Sequence, residues 1–370
     1  MSTAIDPLPD QRTDLFDPVQ LGDYRLANRI VMAPLTRSRA SAAGTATPLM
    51  AVYYGQRASA GLIIAEGTNI SAQARGYAFT PGIYNPIQIS AWQPVTKAIH
   101  ERSGRVFLQL WHVGRISHPS LQPNNALPVA PSAIRPNATA FTATGFQACV
   151  TPRALEVAEI SEIIEQYGSA ARNALAAGFD GVEIHAANGY LIEQFLRDST
   201  NHRTDAYGGT LKKRARFLLE VVQAVVGACG PGRVGIRLSP VSPINDAGLD
   251  SDPEGTYRHV VESLNPLHLA YVHVIEGVTQ GAREMPAGYD IQMLRREFNG
   301  PYIANNGYDL ALARDARRRQ QADLIAFGRL YIANPDLVER FRSGASLNVP
   351  DRATFFGGGA VGYTDYPCIF

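Results

Sequence analysis

Eight short apolar runs, each followed by a helix-forming stretch, predict an α/β fold: a (β/α)8 barrel with an N-terminal hairpin and a lid or small subdomain after strand three. Three observations carry this. The runs lack the strict alternation of a half-exposed sheet, which suits parallel strands buried on both faces. They recur in series with helical stretches between them, and polar side chains gather where they end. An open doubly wound sheet is the alternative that the same alternation allows.

The elements follow in order. Residues 1–14 carry Pro7 and Pro9 without an apolar run and are expected to be a flexible tail, not a signal peptide; 15–370 are expected to form one domain. A hairpin turns at Gly22-Asp23 before the first barrel strand, 29–34. A helix over 47–57 leads to the second strand, 61–66, with 67–69 as a loop, and a helix over 89–103 leads to the third, 106–111. The Pro-, Asn-, Ser- and Thr-rich stretch 114–155 is too long for an ordinary connection and is expected to be a lid. A helix over 160–177 precedes the fourth strand, which begins at Gly181, and a helix over 211–229 stops at Gly230-Pro231-Gly232. Strands over 234–238, 271–275, 302–304 and 324–327 alternate with helices over 257–265, 289–298 and 308–319, and a last helix covers 337–341.

Composition excludes several function classes. The 370-residue chain is 45% hydrophobic with a formal net charge of +1 and no long block of one sign, which argues against nucleic acid or an anionic membrane surface as partner. Three widely spaced cysteines, Cys149, Cys229 and Cys368, do not make a disulfide framework or a Cys-ligated metal centre and point to a reducing, cytoplasmic location. No apolar run reaches membrane-spanning length.

In a (β/α)8 barrel the active site forms at the C-terminal strand ends. The stretch 181–190, G-V-E-I-H-A-A-N-G-Y, delivers His185, Asn188 and Tyr190 to one such end, either as a capping cluster or as convergent donors. The chain has three lysines, none at a strand end, which disfavours Schiff-base chemistry. His112, His185 and Glu276 could contribute to a metal-assisted hydrolase or isomerase, but no His-x-His or His-Glu-x-x-His motif occurs and no metal is expected. Gln109, Thr36 and Arg237 suit a flavin better: an amide for a ring imide, a hydroxyl for a ring carbonyl, a guanidinium for developing negative charge. Asn306-Gly307 and Gly328-Arg329, at positions seven and eight, offer backbone amides to a phosphate or serve only as turns. The run 357–362 matches G-x-G-x-x-G by letter but follows no strand and opens no helix, so it is no dinucleotide fingerprint.

These residues lie in longer motifs: N-R-I-V-M-A-P-L-T-R over 28–37, Q-L-W-H-V-G-R over 109–115, the stretch 185–190, N-H-R-T-D-A-Y-G-G over 201–209, and Gly328-Arg329 ahead of A-N-P-D-L over 333–337. Together they resemble the old yellow enzymes, FMN-dependent ene-reductases, and within them the bacterial branch typified by N-ethylmaleimide and pentaerythritol tetranitrate reductases. The resemblance implies that Thr36, flanked by Pro34 and Leu35, bonds the flavin near its C4 carbonyl, that Ala65 and Gln109 bind its pyrimidine edge, and that Arg237 balances charge near N1 and C2. Asn306, Gly307, Gly328 and Arg329 would hold its phosphate. His185 and Asn188 would donate to a substrate oxygen, and Tyr190 would supply the proton.

Tyr77, Trp111, Asn245 and Tyr363 are the expected substrate contacts, although Trp111 and Tyr363 serve equally as packing. Thr36 in place of the Cys of the thermophilic-like branch favours the branch named above. The expected partners are NADPH or NADH and an activated alkene (enones, maleimides, nitroalkenes or nitrate esters), with the chain as a monomer or weak dimer. A catalytically idle FMN-binding barrel is a second alternative to the metal-assisted enzyme.

Overall fold

The computed structural model describes residues 14–369, so all of the expected tail but Asp14 lies outside the described residues. Eight parallel strands close into a barrel: β1 (Ile30–Met32), β2 (Leu62–Asn69), β3 (Val106–Trp111), β4 (Gly181–Ala186), β5 (Val234–Leu238), β6 (Tyr271–Ile275), β7 (Tyr302–Asn305) and β8 (Leu324–Phe327). Each pairs with the next in sequence and β8 pairs with β1, Ile325 opposite Ile30, which settles the choice between closed barrel and open sheet. The hairpin Val19–Leu21 and Tyr24–Leu26 precedes β1, and its Leu21 and Leu26 join the inward-facing cluster of Val31, Leu62, Ile64, Phe107, Tyr271, Ile303 and Leu324. The barrel is thereby plugged at the end opposite the strand C-termini.

The helices arise from local signals. Helix α1 is Pro48–Gly55; α2 (Pro86–His100) starts at Asn85, whose side chain accepts from Gln88 N–H, with Pro86 at its first position. In α3 (Val157–Ala176) the buried residues Ile160, Ile163, Tyr167, Ala170 and Ala174 recur every three or four positions, one face on the barrel. Between α3 and β5 come α4 (Leu191–Leu196) and α5 (Leu211–Cys229), the latter ended by Gly230 at φ +82°. The rest are α6 (Pro253–Leu264), α7 (Gln292–Glu297), α8 (Leu310–Arg318), α9 (Arg329–Ala333) and α10 (Leu337–Ser343). No described helix is long and apolar enough to cross a membrane.

Four elements differ from expectation. The loop expected over 67–69 is strand: after a register shift between Ala65 and Thr68, Thr68 and Asn69 pair with Leu110 and Trp111, extending β2 up the barrel mouth. Helices α4 and α9, of six and five residues, are too short to show a period. The helix expected over 289–298 is confined to Gln292–Glu297. Within 114–155, two small sheets form, a parallel pair Val129–Ala130 with Arg153–Ala154 and a hairpin of Thr139–Thr142 with Gly145–Ala148. Arg115 anchors the segment by donating to Ile134 O (3.2 Å) and Asp246 O (2.6 Å), and Asn137 N–H donates to Asp246 Oδ2 (2.9 Å).

Candidate active site

Strand alternation sends every second side chain inward. On β3, β4, β5 and β6 that row reads Gln109; Glu183 and His185; Arg237; Tyr271 and His273, with Glu183 opposite Gln109 and Arg237 between His185 and His273. Glu183 is the hub. It accepts from Gln109 Nε2 (2.8 Å) and Tyr271 OH (3.1 Å), and its Oε2 lies 2.8 Å from His273 Nδ1. This leaves Gln109 Oε1 without a protein partner. The Tyr271 ring crosses the barrel where β5 carries Gly235, at which a Cβ would fall 2.2 Å from Tyr271 Cζ.

One step toward the mouth, Arg237 donates to Asn305 Oδ1 (2.7 Å), while its Nε is buried without a partner. His185 makes no hydrogen bond within the protein, and its Nδ1 is enclosed. Burial, then the neighbouring Arg237 and His273, hold its pKa well below the usual imidazole range. His185 is therefore a neutral ring near pH 7, able to donate a hydrogen bond but not a charge. Burial likewise lowers His273, against the opposing pull of Glu183.

Beyond β4 the chain turns through Asn188 (φ +61°) and Gly189 (φ +71°), so the turn is left-handed. Glu193, fully buried on α4, holds this turn. It accepts from Gly189 N–H (2.5 Å), Ser239 Oγ (2.8 Å), Tyr257 OH (2.6 Å) and Arg197 Nη2 (2.8 Å). Tyr190 then caps α4 with its ring turned to an aromatic cluster. Trp111 stacks with Tyr77 (centroids 5.6 Å) and His185 (6.1 Å) and meets Tyr190 edge-on at 5.0 Å. The Tyr190 and Tyr77 hydroxyls are 3.2 Å apart, and burial holds both phenols above their ordinary pKa, so both stay protonated near neutrality. Asn245 Nδ2 donates to Asn188 O (2.9 Å), which puts a third of the four expected substrate contacts, after Tyr77 and Trp111, at the same strand end.

Other expected residues divide. Thr36 is half-buried, its hydroxyl without a protein partner, after Pro34 and Leu35 at the end of β1. Ala65 sits where the β2 ladder shifts register. Asn306 spends its side-chain nitrogen on Glu276 O (2.8 Å) and Val278 O (3.1 Å), so its side chain has no donor left for a phosphate. Gly307 (φ +65°) and Gly328 open the turns after β7 and β8, and Arg329 is exposed with no ion pair or hydrogen bond. Tyr363 is not in the Trp111 cluster: it is fully buried, stacked on Tyr53 at 4.0 Å, with the Arg39 guanidinium 4.3 Å from its ring centroid. The residues missed from sequence are Glu183, His273, Glu193 and Thr279, of which Glu183 and His273 carried a signal, sharing a strand face with His185 and Tyr271.

A family model described as NADH:flavin oxidoreductase / NADH oxidase matches residues 14–348. The chain belongs to that family. Relatives include 12-oxophytodienoate reductase 1 of Oryza sativa subsp. japonica, 46% identical over 96% of this chain and 93% of the relative, and 12-oxophytodienoate reductase 2 of Arabidopsis thaliana, 42% identical over 97% and 96%. Among solved structures, morphinone reductase in complex with tetrahydroNAD superposes with a TM-score of 0.91 at 48% identity, covering 97% of this chain and 98% of that one. The old yellow enzyme homologue from Zymomonas mobilis gives 0.92 at 42%, covering 96% and 99%. The family is thus the one the motifs resembled, and its members here are plant 12-oxophytodienoate reductases and morphinone reductase. A flavin fits the donor set of this barrel. Arg237 Nε is buried and unpaired, the Thr36 hydroxyl and Gln109 Oε1 are free, and the three stand on β5, after β1 and on β3 around one mouth.

Proposed function

We propose that this chain is an FMN-dependent NAD(P)H oxidoreductase that reduces the C=C bond of activated alkenes such as enones and maleimides, with nitroalkenes and nitrate esters as further candidates. The observation that carries the reading is the pairing, across one barrel mouth, of a neutral unbonded His185 and a protonated Tyr190 with the free donors and acceptors of Thr36, Gln109 and Arg237. When bound, FMN supplies a centre that takes two electrons from the nicotinamide and passes them to the alkene. Thr36, Ala65 and Gln109 would hold its ring and Arg237 its developing negative charge, with the turns at Asn306-Gly307 and Gly328-Arg329 for its phosphate. His185 and Asn188 donate to the substrate's activating oxygen, where charge accumulates as the β-carbon is reduced. Tyr190 gives its proton to the α-carbon, and Tyr77 holds that hydroxyl in place.

Residues 15–370 act as one unit, with 114–155 as a lid over the mouth. The chain works in the cytoplasm as a monomer or weak dimer, and Thr36 supports the N-ethylmaleimide and pentaerythritol tetranitrate reductase branch. A metal-assisted hydrolase would draw on His112, His185 and Glu276, but among the described residues no three His, Cys, Asp or Glu side chains are grouped so as to hold a metal ion, and Glu276 has bonds of its own. His112 Nδ1 accepts from Gly114 N–H (3.1 Å), and Glu276 accepts from Arg283 (2.8 Å), Tyr308 (2.7 Å) and Tyr302 (3.1 Å). The test is anaerobic reduction of the purified yellow protein by NADPH and by NADH, then reoxidation with 2-cyclohexenone and N-ethylmaleimide. Protein that stays colourless with FMN removes the flavin reading; yellow protein that no alkene reoxidises leaves an idle barrel.

A further inference from the structure

We propose that Thr279 and Ser242 are positioning residues that fix the Asn188 carboxamide as a one-way donor, so that this corner of the site accepts only ligands presenting an acceptor or anionic oxygen. The proposal rests on the functional reading above. Neither residue lies on β4; Ser242 follows β5 and Thr279 follows β6, and they meet Asn188 from across the mouth.

The direction of the contact is set by a chain of donors. Thr279 N–H donates to Ser242 Oγ (3.1 Å), which leaves the single Ser242 proton for Thr279 Oγ1 (2.9 Å). Thr279 Oγ1, having accepted, gives its own proton to Asn188 Oδ1 (2.7 Å). Elsewhere on the residue, Asn188 N–H donates to Ser239 Oγ (2.8 Å) and Asn188 O accepts from Asn245 Nδ2 (2.9 Å). Every polar atom of Asn188 except Nδ2 is thus bonded within the protein. A carboxamide free to rotate would present Oδ1 as readily as Nδ2, and Oδ1 repels an enolate or phenolate. Pinned by Thr279, it presents only N–H, and donation into Oδ1 polarises that N–H further.

The test titrates the FMN-loaded protein with p-hydroxybenzaldehyde, followed by its long-wavelength absorption and by calorimetry. The proteins are wild type, T279V, T279S, N188A and the double variant T279V/N188A, matched for FMN content and melting temperature. T279V should weaken binding about fivefold to tenfold, the size of one neutral hydrogen bond. T279S, which keeps the hydroxyl, should bind as wild type, and T279V should add no further loss to N188A. Binding by T279V within twofold of wild type, or an equal T279V loss in the N188A background, overturns the proposal alone. No binding by wild type overturns the functional reading and the proposal with it. Should T279V not fold, S242A is read in its place: it removes the donor to Thr279 Oγ1, leaving that oxygen able to accept from a flipped Asn188 carboxamide, and a loss of the same sign that disappears in N188A is expected, its absence overturning the proposal.

Discussion

Acid should unfold this protein through its buried histidines, and His112 allows the size of the effect to be worked out. Its side chain is fully buried, Nδ1 accepts from Gly114 N–H at 3.1 Å, and Nε2 has no partner. Burial pushes its pKa down to about 3. A histidine lowered in the folded state binds fewer protons there than in the unfolded chain. Its contribution is therefore complete above the unfolded pKa of about 6.5 and is lost as pH falls from there toward the folded value. At about 1.4 kcal/mol per pKa unit, moving from pH 7 to pH 4.5 removes roughly 2.5 kcal/mol through His112 alone. His185 and His273 are shifted in the same direction, so the total slope is steeper. His112→Asn isolates the first share, since its Oδ1 can keep the bond from Gly114 but cannot titrate in this range. Urea unfolding at both pH values should show wild type losing about 2.5 kcal/mol more than the variant. Parallel losses would mean that His112 takes up its proton without unfolding, and the burial argument for the neighbouring histidines would weaken with it.

Three further outcomes are expected. Tyr190→Phe should leave reduction of the bound flavin by nicotinamide within a few-fold of wild type and slow alkene reduction by about 10²–10⁴, since the proton is needed only in the second half-reaction; equal losses in stopped flow count against its role. Glu193→Ala strands Arg197, which is fully buried and also donates to Ser239 O (2.7 Å) and Gly248 O. It should cost about 3–5 kcal/mol in urea unfolding, and a cost under about 1 kcal/mol would show that this pair does not hold the Asn188 turn. Gly235→Ala drives a Cβ into the Tyr271 ring and should cost about 1–3 kcal/mol, recovered when Tyr271 is also made Leu; a single variant as stable as wild type refutes the contact.

The fold was legible where punctuation was strong. Strands β5 and β8 begin and end as expected because Gly-Pro-Gly or polar residues precede them and a Pro or Gly follows closely. Gly67 misled for a physical reason. It reads as the start of a loop, yet it lies inside β2, where the position is glycine because a Cβ would come within 2.7 Å of the Trp111 ring. In the candidate site, His185, Gln109 and Arg237 could be placed at the barrel mouth because each stands near a strand's C-terminal end, where period-two alternation and barrel geometry agree. Thr279 could not. Its contact with Asn188 spans 91 residues and depends on how the segment after β6 folds back, which no local pattern encodes. Tyr363 was equally opaque, since its stacking on Tyr53 joins a C-terminal loop to α1.

Three of the buried carboxyl groups show a common logic that single motifs do not. Glu183, Glu193 and Glu276 are each at most 2% exposed, and each stands one layer back from the mouth beside a cationic or donor partner: His273, Arg197 and Arg283 respectively. Each also fixes one group that faces inward or upward. Glu183 orients the Gln109 amide, Glu193 the Asn188–Gly189 turn, and Glu276, through its carbonyl and its bond to Arg283, the Asn306 main chain. The mouth also carries Arg237, Arg329, neutral His185, protonated Tyr190 and the Asn188 Nδ2–H, donors that make no ion pair with a carboxylate. Such a lining favours groups that are anionic or become so during reaction, and it does so at three separate places around the barrel. A reduced flavin ring, a phosphate and an enolate oxygen, the groups the proposed function would place there, are all of this kind.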